Sequence, residues 1–253
     1  MNRMTSIGES GLHAAQQWTE TVAQNMANLN TPGYRRRLPK FAPLFGEGFG
    51  RDLLTLVAKG QGVRTTEVEL AQEQGLLQAT GRTLDLAVEG PGFFVLQNAH
   101  GEREYTRNGV FYLDEDGRLV TADGRFVLDA AGERIRLAVQ ASELVMNHAG
   151  EIRQRGSEEV LARLGLVRFP NPEKLSSVGA QRYTETPASG PPVQLTPGEP
   201  GAGHILQGFT EMSNVDLAAE ITDLMLAQRA FQLAARLLTE GDQLDRLASE
   251  TVE

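Results

Sequence analysis

Both ends of the chain carry helix-period apolar stripes while its middle alternates with a period of two, and this division limits the fold more than any other feature. From Met4 to Leu29 the apolar positions Met4, Ile7, Leu12, Ala15, Trp18, Val22, Met26 and Leu29 recur mainly three to five residues apart, opposite a polar face of Glu9, Gln16, Gln17, Glu20 and Gln24. That is the pattern of an amphipathic helix. Asn28 and Asn30 weaken the helix and Thr31-Pro32-Gly33 ends it, because proline lacks an N–H and restricts the residue before it, and glycine takes the positive φ of a type II turn. Trp18 and Met26 read as core residues packed on a neighbouring helix. At the other end, Ser213-Asn214-Val215-Asp216 offers an N-cap followed by an acidic residue in the first turn. Leu217, Ile221, Leu224, Phe231, Ala235 and Leu238 then form one stripe, and Gly241 is expected to bend the helix before Leu244 and Leu247 finish it. Two such helices bury their stripes on each other, or on copies of themselves in an assembly.

Between the helices the pattern changes. From Thr65 to Arg168 short alternating runs are separated by Asn98-Ala99-His100-Gly101, Asp114-Glu115-Asp116-Gly117, Ala122-Asp123-Gly124, Ala130-Ala131-Gly132 and His148-Ala149-Gly150. Glycine-containing turns this closely spaced predict antiparallel hairpins, with strands at 93–96, 110–113, 118–121, 126–128 and 135–139. Prolines at 170, 172, 187, 191, 192, 197 and 200 predict an extended return segment along the surface, with no helix and no central strand. Residues 35–62, broken by Pro39, Pro43, Gly46, Gly48, Gly50, Gly60 and Gly62, predict a connector in which neither helix nor strand persists. The chain therefore reads as α+β: an N-terminal helix in residues 1–34, a connector in 35–64, an antiparallel all-β domain with its return segment in 65–205, and a C-terminal helix in 206–253.

The residue types argue against most chemistry. With 24 basic and 33 acidic residues and a net charge of −9, the chain lacks the basic footprint that nucleic acid requires. The one basic run, Arg35 to Arg37 with Lys40, reads as a solvated loop or as a contact for an acidic partner. The absence of cysteine excludes disulfides, thiolate metal sites and cysteine catalysis. His13, His100, His148 and His204 have no metal-ligand spacing. Gly46-Glu47-Gly48-Phe49-Gly50 misplaces the third glycine of a nucleotide loop. Tyr112 stands at the first ligand position of a would-be calcium loop around Asp114, so that loop reads as a hairpin turn. No catalytic residue, cofactor or metal is expected. The first twenty residues contain no apolar block of a cleavable signal, and no run approaches the roughly 18 apolar residues of a membrane span.

Four blocks carry a resemblance. They are Asn25-Met26-Ala27-Asn28-Leu29-Asn30-Thr31-Pro32-Gly33-Tyr34; Gln78-Ala79-Thr80-Gly81 with Leu84 through Phe94; Tyr105-Thr106-Arg107-Asn108-Gly109 with Gly117 through Thr121; and Gln207-Gly208, Glu211 and Ser213 through Asp216. In this order they resemble the bacterial flagellar rod and hook family over nearly the whole length. Hook proteins are usually longer, so at 253 residues the chain looks like a rod subunit. The segments Tyr183 through Gly190 and Thr196-Pro197-Gly198 are most similar to distal rod subunits, while the short stretch between Phe45 and Gly60 leaves a proximal subunit as the alternative.

The resemblance implies a structural subunit in the periplasm-spanning basal body, exported through the flagellar export apparatus without signal cleavage. It implies a helical tube of copies that transmits torque and contacts other rod and hook subunits and the surrounding rings. Ile7, Leu12, Trp18, Val22, Met26, Leu217, Ile221, Leu224, Phe231 and Leu238 become the expected assembly interface. Asn28, Thr31, Pro32, Gly33, Tyr34, Ser213 and Asn214 become the expected turn and junction. The narrow stripes further predict helices that are partly disordered alone and order on assembly. The competing reading is a secreted β domain that binds carbohydrate or acts on peptidoglycan.

Overall fold

A computed structural model describes residues 3–45, 60–199 and 201–250. The described residues fall into two compact units, one drawn from Met1–Ala27, Arg37–Glu69 and Asp216–Glu253, the other from Asn28–Arg36 and Leu70–Val215. The chain thus changes unit after residues 27, 36, 69 and 215.

The first unit contains helix α1 (Arg3–Ala27), strand β1 (Arg37–Phe45), most of strand β2 (Gly60–Leu70) and helix α2 (Leu217–Glu250). The helix α1 ends at Ala27, ahead of the Thr31-Pro32-Gly33 stop read from the sequence, with residues 28–30 already in a turn. The N-cap of α2 is Asp216, whose carboxylate accepts the Ala218 N–H at 2.9 Å, so Asp216 precedes the first turn and Ser213 and Asn214 do other work. The helix continues through Gly241. The expectation of a structureless connector fails, because β1 and β2 pair as a two-stranded sheet. Pro39 and Pro43 are four residues apart and so lack N–H groups on the same edge of β1, an arrangement a two-stranded sheet tolerates. On that edge the Arg37 N–H donates instead to the Asn25 side chain at 2.9 Å. Across the pair, Lys40 meets Glu69 at 3.2 Å and Thr66 donates to the Lys40 carbonyl. Gly46 through Gly50 lie outside the described residues.

The second unit is built from antiparallel strands. They are β3 (Leu77–Ala79), β4 (Leu86–Glu89), β5 (Phe93–Gln97), β6 (Arg103–Thr106), β7 (Phe111–Leu113), β8 (Leu119–Thr121), β9 (Phe126–Val127), β10 (Leu144–Met146), β11 (Glu151–Gln154), β12 (Val160–Arg163), β13 (Leu166–Arg168), β14 (Ser176–Gly179), β15 (Arg182–Thr184), β16 (Val193–Leu195), β17 (His204–Gln207) and β18 (Phe209–Glu211). The largest sheet runs β14-β15-β6-β5-β9-β8-β7, with β13 bridging β5 and β16; smaller sheets are β10-β11-β12, β17-β4 and β18-β3. The strand β5 is buried on both faces. Phe94 and Leu96 enter one cluster with Leu86, Phe111, Leu164 and Ile205, while Phe93 and Val95 enter another with Tyr105, Phe169 and Tyr183. Phe94 and Phe111 meet edge to face at 5.2 Å.

The five turns share one chemistry. Asn98, Asp114, Thr121, Asp129 and Asn147 each use a side-chain oxygen to accept the N–H four residues on. The glycine three residues on has positive φ in every case, the arrangement that polar turn residues and glycine favour. Asp114 is therefore a turn residue bound to Arg118 at 2.7 Å. Hydrogen bonds from the Arg118 backbone and side chain hold its carboxyl below the usual range, against a desolvation that pushes it up.

Two expectations for strands need correction. Residues 135–139 form no strand; Ile135 and Leu137 are buried, and the segment is held by an isolated bridge of Arg118 with Arg136 and by backbone hydrogen bonds of Ile135 with Leu119 and Val127 and of Leu137 with Gly117. The return segment contributes β14, β15 and β16, and β15 is interior, between β14 and β6. The prolines fall between these strands and leave residues 173–186 free to pair, which buries Tyr183.

Candidate assembly interface

Side-chain size, more than hydrophobicity, selects the seam between α1 and α2. Ala227, Ala234 and Gly241 are buried on α2 at seven-residue intervals, extended by the buried Glu220 one interval earlier. Facing them on α1 are Gly8, Gly11, Ala14, Ala15 and Val22. A Cβ on Gly8 would lie 2.8 Å from Leu238, one on Gly11 would lie 3.2 Å from the Ala234 Cβ, and one on Gly241 would lie 3.1 Å from Thr5. The helices therefore run antiparallel at a separation that small residues permit, and Gly241 serves close packing. Toward the other end, Asn25 donates to Glu220 at 3.2 Å and to the Arg37 carbonyl at 2.9 Å, and accepts the Arg37 N–H. Asn25 is thus a helix residue that ties α1 to α2 and β1.

The bulkiest apolar side chains are left outside this seam. Leu226, Leu233, Leu237 and Leu244 are 45%, 61%, 38% and 49% exposed, and their spacing of 7, 4 and 7 residues puts them in one row along α2. Leu217, Ile221, Met225 and Phe231 are also exposed, on other parts of its surface. The outward side of α1 is polar, with Glu9, His13, Gln16, Gln17 and Glu20 exposed. Of the residues expected in an interface, Leu217, Ile221 and Phe231 are exposed, while Ile7, Leu12, Trp18, Met26, Leu224 and Leu238 are partly covered. Val22, at 2% exposure, is inside the unit. Trp18 contacts Phe41 of β1, their rings 5.8 Å apart, and so packs on a strand that the sequence did not reveal. The row formed by Leu226, Leu233, Leu237 and Leu244 lies off the stripe containing Phe231, to which the sequence expectation is confined. Heptad spacing of large leucines was the available signal.

The expected junction residues lie in the second unit. Thr31 donates to the Asn28 side chain at 3.2 Å, and the Tyr34 N–H reaches back to the Thr31 carbonyl at 3.3 Å around Pro32 and Gly33. Gly33 has φ +70°, and a Cβ there would come within 2.6 Å of the Asn108 Cα. Its N–H donates to the Glu211 carbonyl at 2.7 Å. Asn214 accepts the Arg36 N–H at 2.6 Å and donates to the Glu73 carbonyl at 2.7 Å. Ser213 caps a local turn by accepting the Val215 N–H. The segments that leave α1 and lead to α2 are thus bonded to one another within this unit.

Beneath them, Arg35 is buried with its guanidinium 2.8 Å from Glu211, and Arg107 lies 3.4 Å from the same carboxylate. Arg35 is neither a solvated loop residue nor an exposed contact, because its charge is committed inside the fold. Burial pushes the Arg107 guanidinium down to about 10, with Glu211 opposing the change.

Comparison with known proteins gives a consistent result. The profile of the flagella basal body rod protein matches residues 6–35, that of the flagellar hook protein FlgE/F/G D1 domain matches 87–154, and that of the flagellar basal body rod FlgEFG protein C-terminal matches 206–251. The flagellar basal-body rod protein FlgG of Agrobacterium fabrum is 33% identical over 99% of this chain and all of its own length. The chain belongs to the flagellar basal-body rod protein family. FlgG of Bacillus subtilis is 32% identical over 96% of this chain and 97% of its own, and the hook-basal body complex protein FlhP of the same organism is 30% identical over similar shares. In this rod protein the first profile covers most of α1 and its stop, and the last covers β18 and all of α2. The family is structural, and a rod subunit is the role the chain shares with it. Among the described residues no helix is long and apolar enough to cross a membrane.

Proposed function

We propose that the chain is a building block of the distal rod, polymerising through its terminal helices into a hollow axial tube that spans the periplasm and transmits torque. It would leave the cell through the flagellar export apparatus without signal cleavage, join other rod and hook subunits, and sit within the basal-body rings. The exposed row of Leu226, Leu233, Leu237 and Leu244 is the observation that carries this reading. A leucine wholly covered is worth about 1.5–3 kcal/mol, so covering the exposed part of each gives roughly 1 kcal/mol, repeated at every contact between copies. The small-residue seam leaves this row available while α1 and α2 are already paired.

Leu233→Asp tests it. A charge in a covered apolar contact is strongly unfavourable, whereas at 61% exposure the substitution barely disturbs the subunit alone. The expected result is a folded, exported, non-motile variant that forms no rod. Wild-type motility and rods would overturn the proposal.

A further inference from the structure

Copies that join through α2 need a surface that fits its leucine row. At about 100° per residue, Leu226, Leu233, Leu237 and Leu244 lie roughly 90° to one side of the buried seam of Glu220, Ala227, Ala234 and Gly241. Leu217, Ile221, Met225 and Phe231 are 44%, 43%, 49% and 43% exposed, and they lie roughly 110° to the other side. The first row occupies the C-terminal part of the helix and the second its N-terminal part. α2 therefore carries two apolar patches on nearly opposite flanks, displaced along its axis. Elsewhere in the first unit the outward side of α1 is polar, and β1 and β2 expose, among the described residues, only Phe41 and Val68 of their large apolar side chains.

The two patches match in spacing. Ile221 and Met225 are four residues apart, as are Leu233 and Leu237; Phe231 follows Met225 by six where Leu244 follows Leu237 by seven. Sliding one α2 along a parallel copy by 12 residues (233 − 221; 237 − 225) sets Leu233 beside Ile221 and Leu237 beside Met225, with Leu244 close to Phe231. At 1.5 Å per residue the stagger is about 18 Å. The receiving flank carries Gln228 and Gln232 but no charged side chain, since Glu220 and Asp223 lie toward the seam and Arg229 lies on the far side of the helix. Each copy thus has room for one neighbour on either flank while its seam with α1 stays closed.

We infer that the partner of the leucine row is the patch of Leu217, Ile221, Met225 and Phe231 on a second copy's α2, the two helices running parallel with this stagger. The inference rests on the assembly reading above. Such a contact is heterologous, so it leaves one patch free at each end and propagates, where a two-fold contact would close as a dimer. Eight side chains about half exposed supply on the order of 400 Å² of apolar surface, against roughly 1,200 Å² or more in a stable pairwise interface. The contact is therefore too small to hold two free subunits together and counts only by repetition along a rod.

The cysteine-free chain permits a direct test, because two cysteines bridge only when their Cα atoms come within about 7 Å. Basal bodies carrying Met225→Cys together with Leu237→Cys, oxidised with copper–phenanthroline, should give a ladder of disulfide-linked multimers on non-reducing gels. Leu237→Cys alone should give none, and Leu217→Cys with Leu237→Cys, about 12 Å out of register, at least tenfold less. Ile221→Cys with Leu233→Cys repeats the test if the first pair does not assemble. Dimers from Leu237→Cys alone would reveal a two-fold contact and overturn the inference, as would assembled pairs that stay monomeric after oxidation. Maleimide separates this failure from that of the assembly reading: a thiol at position 237 that is protected in basal bodies but never bridged overturns the inference alone, and one equally reactive in monomer and basal body overturns both.

Discussion

Gly33 and Glu211 show how much of the second unit depends on single residues. Gly33 combines φ +70° with backbone packed against the site of its missing Cβ, so Gly33→Val should cost on the order of 1 kcal/mol for the conformation alone, and more because the Asn108 backbone must move. Glu211→Gln leaves two buried guanidinium groups without a counter-charge and should cost about 3 kcal/mol or more. Urea denaturation of the full chain reads both. Glu151 gives a pH dependence: hydrogen bonds from Arg163, Arg153 and Asn147 hold its carboxyl below its ordinary value of 4.5. A depressed carboxyl stabilises the fold above the unfolded value and loses that contribution as pH falls through the folded one. Thermal melts below pH 4.5 should therefore show a loss that Glu151→Gln reduces; an identical acid profile in the variant would contradict this.

At the level of elements, the helix pair depends on close approach, and Ala234→Leu should wedge it apart at a cost of about 1–3 kcal/mol, read in helix melting by circular dichroism. Amide exchange on the monomer tests whether α1 and α2 order only on assembly, the expectation drawn from the sequence. Rapid exchange supports it, and strong protection from residue 4 to 27 and from 217 to 240 contradicts it. Both helices, the stop at Thr31-Pro32-Gly33 and the five hairpin turns were legible because each rests on local chemistry: period, proline, or a polar residue followed by glycine. The β1-β2 pair was not, since Pro39 and Pro43 read as breakers until their shared edge was known. Nor was β15, because the prolines flank it without entering it, nor the Asp216 cap, because Ser213 and Asn214 are equally good cap formers by residue type. The charge pairing of Arg35 with Glu211 spans 176 positions (211 − 35), and no local pattern encodes it.

For the whole molecule, sequence kinship and surface chemistry meet on α2. The family makes the chain a rod subunit, and the row of leucines outside the helix seam is the surface on which copies would join. Because the chain contains no cysteine, a single thiol at Leu233 can be read against a silent background. Leu233→Cys should react with a maleimide in the purified monomer and be protected in isolated basal bodies, because the proposed assembly puts this row under neighbouring copies. Equal labelling of the thiol in both states would contradict assembly through this face of α2.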